Sequence, residues 1–269
     1  MPFINLHNHS TYSDGTLTPV ALAAEAARAG VKYFSLTDHD AAGGWGEMEA
    51  ALKERGIAYC YGVEIGAGPH NYLHILGYGI NPADPGLLAS LAALRERKID
   101  RLNQTLALLK GLGIEIKPDE LYWRGSCPPD TFQVEAILRD RGLAASRKEA
   151  HQRYFAPGAP VHLPRNSPSA AEAIKIIKDA GGRAALAHPY TLGEELDLAA
   201  LKDAGLEGLE AFYPRHTEEA TRNFLAAAKS YGLFVTAGID YHGPGTERDT
   251  MSGFDYSEEL FADVKKLFV

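Results

Sequence analysis

Six of the ten histidines stand beside carboxylate residues at the ends of short apolar runs. Imidazole nitrogens and carboxylate oxygens are the ligands that hold zinc, manganese and iron in hydrolytic sites. Their recurrence along the chain predicts a site that holds more than one metal ion. The residues concerned are His7, His9, His39, His74, His188 and His242, with Asp14, Asp38, Glu64 and Asp240.

Each cluster taken singly also has an ordinary structural interpretation. His7 and His9 are two residues apart, so on a strand both rings project to the same side and can bind one ion. His39 follows a predicted strand, where a helix cap or a surface turn would also suit it. Glu64 closes an apolar run, where a carboxylate costs free energy unless it is paired or bound to metal. The whole set together favours the metal site.

The elements that must position these residues are strands alternating with helices. One helix is predicted to begin at Thr18 and Pro19 and to end at Gly30. Another is predicted to begin at Ser167 and Pro168 and to end at Gly181. The alternation predicts a parallel sheet, and about seven β/α units in this length favour a distorted barrel over an open doubly wound sheet. A barrel gathers its active site at the carboxyl ends of its strands. The predicted strands are 3–9, 33–38, 57–64, 72–76, 183–188, 208–213 and 233–240.

The alternation lapses over residues 82–165, which predicts a helical insertion into a barrel made of residues 1–81 and 166–269. Helices are predicted at 86–113, 130–141 and 146–154, followed by a loop over 157–164. The insertion carries 13 Lys and Arg against 10 Asp and Glu, whereas the rest carries 14 against 25. A basic cap over an acidic bowl would attract a phosphorylated substrate. For most of Arg95, Arg97, Lys98 and Arg101, solvation of a helix face is the favoured interpretation.

Composition limits the remaining possibilities. The 269 residues, 45% of them hydrophobic, can bury one large core with a small inserted domain. No signal peptide or long apolar segment is visible, and Cys60 and Cys127 lack the spacing of a thiolate metal site or disulfide framework. These features predict a soluble protein of a reducing cytoplasm. A net charge of −8 argues against binding duplex DNA.

The order of the candidate ligands resembles that of a known family. The series His7-x-His9, Asp14, Thr37-Asp38-His39, Glu64, His74, His188 and Asp240-x-His242 is similar to the polymerase and histidinol phosphatase (PHP) family of metal-dependent phosphoesterases. The helical insertion resembles the small bacterial subgroup that includes a nucleotide 3′,5′-bisphosphatase and a cyclic phosphate hydrolase. The resemblance implies a distorted (β/α)7 barrel with three divalent ions.

The same resemblance implies how the ligands divide among the ions. The first ion takes His7, His9, Glu64 and Asp240; the second shares Glu64 and takes His74 and His188; the third takes Asp14, His39 and His242. These nitrogen and oxygen ligands suit manganese, iron or zinc. Asp38 and Asp40 are expected to support the ligands. A hydroxide between the first two ions would attack phosphorus in line.

Two residues after the sixth predicted strand are candidates for handling the phosphate. Arg215 could bind it bidentately, and His216 could clamp it or protonate the leaving oxygen. The alternative is a capped helix start at Thr217 with incidental neighbours. His70, His151 and His162 match no ligand motif, so they are expected to be structural or on the surface.

The substrate is less well predicted. Residues 128–133 stand where relatives often carry an Arg-Pro-His-like segment; here Cys127, Asp130 and Gln133 could line a pocket, or Asp130 could cap a helix. A nucleotide bisphosphate or the end of a short single-stranded oligonucleotide is favoured, with a sugar cyclic phosphate or histidinol phosphate as alternatives. A noncatalytic PHP module that regulates a partner is the alternative of another class. Retention of all nine ligands favours catalysis.

Overall fold

In the part of the chain that the structure describes, eight strands form one sheet that curls into a nearly closed barrel. The computed structural model describes residues 1–68, 72–123, 128–129 and 131–268. Neighbouring strands follow the order of the sequence from β1 to β7, and β8 flanks β1. The strands are β1 (Phe3–Asn5), β2 (Tyr33–Leu36), β3 (Ala58–Gly66), β4 (His74–Tyr78), β5 (Arg183–Leu186), β6 (Gly208–Phe212), β7 (Phe234–Ala237) and β8 (Phe254–Asp255).

The barrel closes where the chain beyond β1 meets the chain beyond β7. The Leu6 N–H donates to the Ala237 carbonyl over 2.9 Å, and Asn8 pairs in parallel with Tyr241. The predicted distorted barrel is confirmed. Several predicted strands nevertheless end too late, because His188 and Asp240 have positive φ angles of 27° and 54°, which strand ladders do not accommodate.

The prediction of a wholly parallel sheet is wrong at β4. This strand runs antiparallel to both β3 and β5, and β8 runs antiparallel to β1. Only residues 67–73 join β3 to β4, and a parallel connection needs a dozen residues or more. The reversal has a consequence for the site. It brings the first residue of β4, His74, to the end of the barrel where its neighbours have their last residues.

Helices surround the barrel, and most of those described begin at side-chain caps. Thr18 caps α1 as predicted, accepting from the Ala21 N–H. The predicted start at Ser167 and Pro168 is two residues early, because Ser169 caps the helix in a capping box with Glu172. Among the described residues no helix is long and apolar enough to cross a membrane. The helices are α1 (Pro19–Arg28), α2 (Trp45–Glu54), α3 (Pro85–Gly111), α4 (Thr131–Asp140), α5 (Arg147–Ala150), α6 (Ala170–Asp179), α7 (Leu198–Asp203), α8 (Glu218–Tyr231) and α9 (Glu258–Val264).

The segment between β4 and α6 is helical and has an apolar cluster of its own. It contains α3, α4, α5 and a wide turn of π-helix at His151–Phe155. The first half of α3 packs in the barrel core through Leu87, Leu91 and Leu94, whereas its second half packs in the separate cluster. Thus α3 links the two cores. The separate cluster comprises Leu102, Leu109, Ile116, Val134, Leu138, Ala144, Ala150, Tyr154, Phe155 and Val161.

Candidate metal centre

The pair His7 and His9 lies just beyond β1, where the barrel closes. Backbone bonds with Tyr241 keep the segment extended, so both rings enter the barrel mouth. Each Nε2 lies 3.1 Å from Glu64 Oε2. The same two nitrogens lie 3.4 and 3.1 Å from Asp240 Oδ1. Four ligand atoms from three parts of the chain therefore surround one point.

These four atoms fit a metal ion better than they fit one another. All of them are buried, and none makes a hydrogen bond of good geometry to any residue that the structure describes. Buried polar atoms without partners are costly, so a set that converges needs a common partner. Ligands about 2.0 to 2.1 Å from a tetrahedral ion lie roughly 3.3 Å apart, which is the spacing observed. The atoms are His7 Nε2, His9 Nε2, Glu64 Oε2 and Asp240 Oδ1.

Glu64, in β3, lies in the middle of the centre, between the imidazole rings. Its Oε1 lies 2.7 Å from His74 Nδ1 and 3.1 Å from His188 Nε2. Its Oε2 lies 3.2 Å from His39 Nδ1. Residue 39 also pairs with residue 64 through the backbone, so β2 and β3 fix this contact. One carboxylate therefore touches five imidazole rings.

Asp14 marks a second side of the centre, nearer to solvent. Its Oδ2 lies 3.2 Å from His242 Nε2 and 3.8 Å from His39 Nε2. Its Oδ1 lies 3.5 Å from His9 Nδ1. These atoms form a second group that could hold an ion.

The structure brings all nine predicted ligands into one cluster, but it groups some of them differently. His9 belongs geometrically to both the first and the Asp14 groups, and His39 also lies with Glu64 and His74. His188 contacts Glu64 without joining a group. The division of the ligands among three ions remains a prediction.

Electrostatics show that the centre favours positive charge. Burial lowers the pKa of His9, but the carboxylates of Asp240 and Glu64 outweigh it and raise that pKa to about 10. Burial raises the pKa of Glu64, yet the surrounding imidazoles, led by His39, hold it well below its usual range. Burial lowers the pKa of His39 to about 3, so its neutral ring offers one nitrogen lone pair to a metal at neutral pH. A divalent cation would replace the proton on His9.

Asp38 and Asp40 support the centre without joining the ligand groups found among the described residues. The Asp38 carboxylate accepts from the backbone and hydroxyl of Ser10, each over 2.7 Å, and from the Ser13 hydroxyl over 2.5 Å. It thereby fixes the turn before Asp14. Asp40, at φ 49°, forms an ion pair of 2.6 Å with Lys98 of α3.

A cavity of about 640 Å³ lies above the cluster. Its described walls include the basic residues Lys98, Arg101, Arg147, Arg165 and Arg248 and the aromatic residues Tyr72, Phe132, Tyr190 and Tyr213.

Arg248 is a wall residue that the sequence did not single out. Its Nη1 lies 2.5 Å from Asp240 Oδ2, and the side chain is only 35% exposed. Glu210, buried beneath the cluster, was missed as well; its Oε1 lies 3.0 Å from His7 Nδ1. The sequence did hold a signal for Glu210, because a carboxylate inside an apolar strand needs a partner.

The two phosphate candidates lie to one side of the cavity. Arg215 pairs with Glu247 over 2.9 Å and is 45% exposed. His216 Nδ1 donates to the Ala211 carbonyl over 2.9 Å, and its ring packs against Tyr190, Tyr213 and Phe224. Thr217 caps α8. The phosphate-binding roles of Arg215 and His216 stay predictions.

The remaining sequence candidates also have places. Pro128, Pro129 and Gln133 line the cavity, while Cys127, Asp130 and His70 lie outside the described residues. His151 bonds to Glu135, and His162 to the Phe155 carbonyl.

Relatives of known activity resemble this chain over almost all of its length. A 3′,5′-nucleoside bisphosphate phosphatase from Chromobacterium violaceum is 35% identical over 256 residues, which cover 91% of this chain and 89% of the relative. A phosphoribosyl 1,2-cyclic phosphate 1,2-diphosphodiesterase from Eggerthella lenta is 29% identical, with coverage of 89% and 94%. A 5′-3′ exoribonuclease from Haemophilus influenzae is 30% identical, with coverage of 89% and 90%.

Solved structures share the fold. A Chromobacterium violaceum structure described as an amidohydrolase with bound sulfate and no metal has a TM-score of 0.79 at 31% identity, covering 99% of this chain and 97% of that one. A candidate metal-dependent phosphoesterase from Bifidobacterium adolescentis has a TM-score of 0.80 at 25% identity, covering 98% and 96%. A family model described as PHP domain matches residues 5–124. The full-length similarity and this match show that the chain belongs to the PHP family of metal-dependent phosphoesterases.

Proposed function

We propose that this protein hydrolyses phosphate esters of a small metabolite, with a nucleotide bisphosphate or the end of a short single-stranded oligonucleotide as the first candidates. The observation that carries the proposal is the set of four buried, unpartnered ligand atoms at the floor of a basic and aromatic cavity. Relatives that act on a nucleoside bisphosphate and on RNA support the same class of substrate.

We propose three divalent ions, manganese, iron or zinc, held in the three ligand sets that the sequence predicts. When bound, such ions neutralise phosphate charge and make hydroxide available near neutral pH. The protein's own residues have separate tasks. The Tyr213 hydroxyl donates to Asp240 Oδ2 over 3.1 Å, which orients that carboxylate. Arg248 and the other basic wall residues bind and orient the anionic substrate.

We also propose that residues 82–165 form a cap on the barrel of residues 1–81 and 166–269. The separate apolar cluster and the ion pair between Lys98 and Asp40 support this division. The proposed compartment is a reducing cytoplasm, which suits the free buried thiol of Cys60.

Arg248→Ala should lower kcat/KM by a factor on the order of 10 to 1,000, because a charge-assisted contact to phosphate is lost in a shielded site. Arg248→Lys should restore part of the loss, since lysine keeps the charge without the planar fork. Steady-state kinetics beside elemental analysis measure both effects, because Arg248 also touches Asp240.

Arg215→Ala is the matched comparison, and it tests the sequence-based assignment. A loss similar to that of Arg248→Ala would support phosphate binding by Arg215. Wild-type kinetics would exclude phosphate binding by Arg215 and leave its pairing with Glu247 as a structural contact. Unchanged kcat/KM in a metal-replete Arg248→Ala variant would contradict the role given to Arg248.

Exposed aromatic rings in the cavity wall favour a substrate with a nucleobase. Phe132 is 45% exposed and Tyr72 is 55% exposed, although both line the cavity. The guanidinium of Arg147 lies 5.3 Å from the Phe132 ring centre, which orients the ring. Base stacking on such a ring contributes about 1 to 3 kcal/mol. A sugar phosphate has no planar base to stack there, and histidinol phosphate has only a single imidazole ring.

Phe132→Ala should therefore raise KM for a nucleoside 3′,5′-bisphosphate by about 5- to 150-fold, the equivalent of one lost stacking contact. Hydrolysis of ribose phosphates that lack a base should not change. Tyr122→Ala is the control, because Tyr122 is 70% exposed but is not among the described wall residues. Equal losses with and without the base would argue against stacking and favour the cyclic sugar phosphate alternative. A metal-replete protein that hydrolyses none of these esters would favour the noncatalytic module.

A further inference from the structure

Glu210 is a fully buried carboxylate in β6 that none of the ligand groups among the described residues includes. Both of its oxygens are used. Its Oε1 lies 3.0 Å from His7 Nδ1, and its Oε2 accepts the backbone N–H of His188 over 2.7 Å. One carboxylate thus holds two residues that touch Glu64 from different sides.

The contact with His7 determines which ring nitrogen can bind a metal. An ionised carboxylate only accepts hydrogen bonds, so His7 Nδ1 must carry the proton. The Nε2 lone pair is then bare in the neutral ring, and Nε2 is the atom that faces Glu64 and Asp240. A carboxylate behind a ligating histidine fixes the tautomer and the ring orientation in this way.

The contact with His188 holds an unusual backbone conformation. His188 has φ 27° and ψ 58°, in a region that residues other than glycine rarely adopt. Such a conformation persists only where its surroundings impose it. The bond from the His188 N–H to Glu210 is one such constraint, and it aims His188 Nε2 at Glu64 Oε1, 3.1 Å away.

The chain makes room for this arrangement at Gly238. A Cβ atom at that position would lie 2.1 Å from His7 Cβ and 2.7 Å from Glu210 Oε1. Any side chain there would push the imidazole and the carboxylate apart. Glycine beside the pair therefore lets the barrel close around it.

We propose that Glu210 is a positioning residue that fixes the Nδ1–H tautomer of His7 and the backbone of His188, so that ligands on two sides of Glu64 are preorganised for metal. Burial of a carboxylate is costly unless it is well paired, and here both of its partners belong to the proposed ligands. This inference rests on the proposed metal centre but not on the choice of substrate.

The test begins with the wild-type protein loaded with Zn²⁺. Nitrogen-15 NMR of the histidine rings, with His7 assigned through the signal lost in His7→Gln, should show zinc on Nε2 and the proton on Nδ1. Zinc bound to Nδ1 would overturn the proposal. This result comes from the wild-type protein, so it does not depend on whether any variant folds.

Glu210→Gln is the informative variant, because its amide has one acceptor where two N–H groups need acceptors. Competition with a chelating dye should show Zn²⁺ binding 10 to 100 times weaker, the usual effect of losing such a partner, together with a mixture of His7 tautomers. Glu207→Gln is the matched control. Glu207 directly precedes β6, the strand that contains Glu210, and it pairs with Arg183 near the surface.

The possible outcomes distinguish failure of the proposal for Glu210 from failure of the proposed function. Unchanged affinity and an unchanged tautomer in Glu210→Gln would contradict the role of Glu210 and leave the metal centre standing. Lower thermal stability with the wild-type tautomer retained would make Glu210 merely structural, which also contradicts the proposal. A wild-type protein that binds no Zn²⁺, Mn²⁺ or Fe²⁺ would instead refute the proposed function.

Discussion

Glu64→Gln should fold and lose more than about a hundredfold of kcat, beyond the 10- to 100-fold typical of residues that only support metal ligands. Glu64 touches five imidazoles, and its Oε2 is one of the four unpartnered atoms. An amide has no charge to hold cations and presents an N–H₂ group to some of these rings. The variant should therefore also contain less metal. The five contacts are with His7, His9, His39, His74 and His188.

Folding and activity should change independently in this variant. Glutamine has the shape of glutamate, and Asp240 remains beside His9, so circular dichroism without metal should show the wild-type fold. Thermal unfolding without metal should show some loss of stability, because a buried pair loses one partner. Glu207→Gln again serves as the control for an amide replacement outside the centre. If Glu64→Gln holds the wild-type amount of metal and keeps full turnover, the result would contradict the central role given to Glu64.

Purified protein should contain about three divalent ions per chain and lose at least about a thousandfold of its turnover after chelation, because bound ions lower the pKa of water to about 7. Manganese added during growth and elemental analysis after mild dialysis provide the measurement. Saturation with metal at about 1,000 times Kd should stabilise the fold by about 4 kcal/mol, or raise Tm by roughly 10 °C.

Histidine variants inside and outside the cluster sharpen this result. His9→Asn should lower the metal content, since His9 belongs to two of the groups. His151→Asn should not, because His151 pairs with Glu135 away from them. A content near zero with turnover resistant to chelators would refute the metal centre. A content of two ions per chain would contradict only the prediction of a third ion.

The clustering of the nine candidate ligands could be predicted from the sequence because residue type and spacing carry that information. An imidazole pair two residues apart on a strand must share a face, as His7 and His9 do. Residues that follow successive barrel strands must meet at one rim, which brings His39 and His188 near Glu64. The barrel itself could be predicted from the same alternation.

Other features depend on tertiary placement. The reversal of β4 was signalled by the short connection after β3, but the alternation of strands and helices outweighed it. Arg248 lies in a charged loop whose pattern gives no reason to prefer it to Arg215. The division of ligands among ions depends on distances of a few tenths of an ångström around His9 and His39, which residue spacing cannot supply.

The closure of the barrel between β1 and β7 also bears on synthesis at the ribosome. Asp240 and His242 emerge more than 200 residues after His7 and His9. At a synthesis rate of 5 to 20 residues per second, roughly 10 to 50 seconds separate the emergence of His7 and His9 from that of Asp240 and His242. A nascent chain exposes strong histidine donors throughout that interval, but the four-ligand set is completed only when Asp240 has emerged. A chain interrupted before Asp240 therefore holds an incomplete centre.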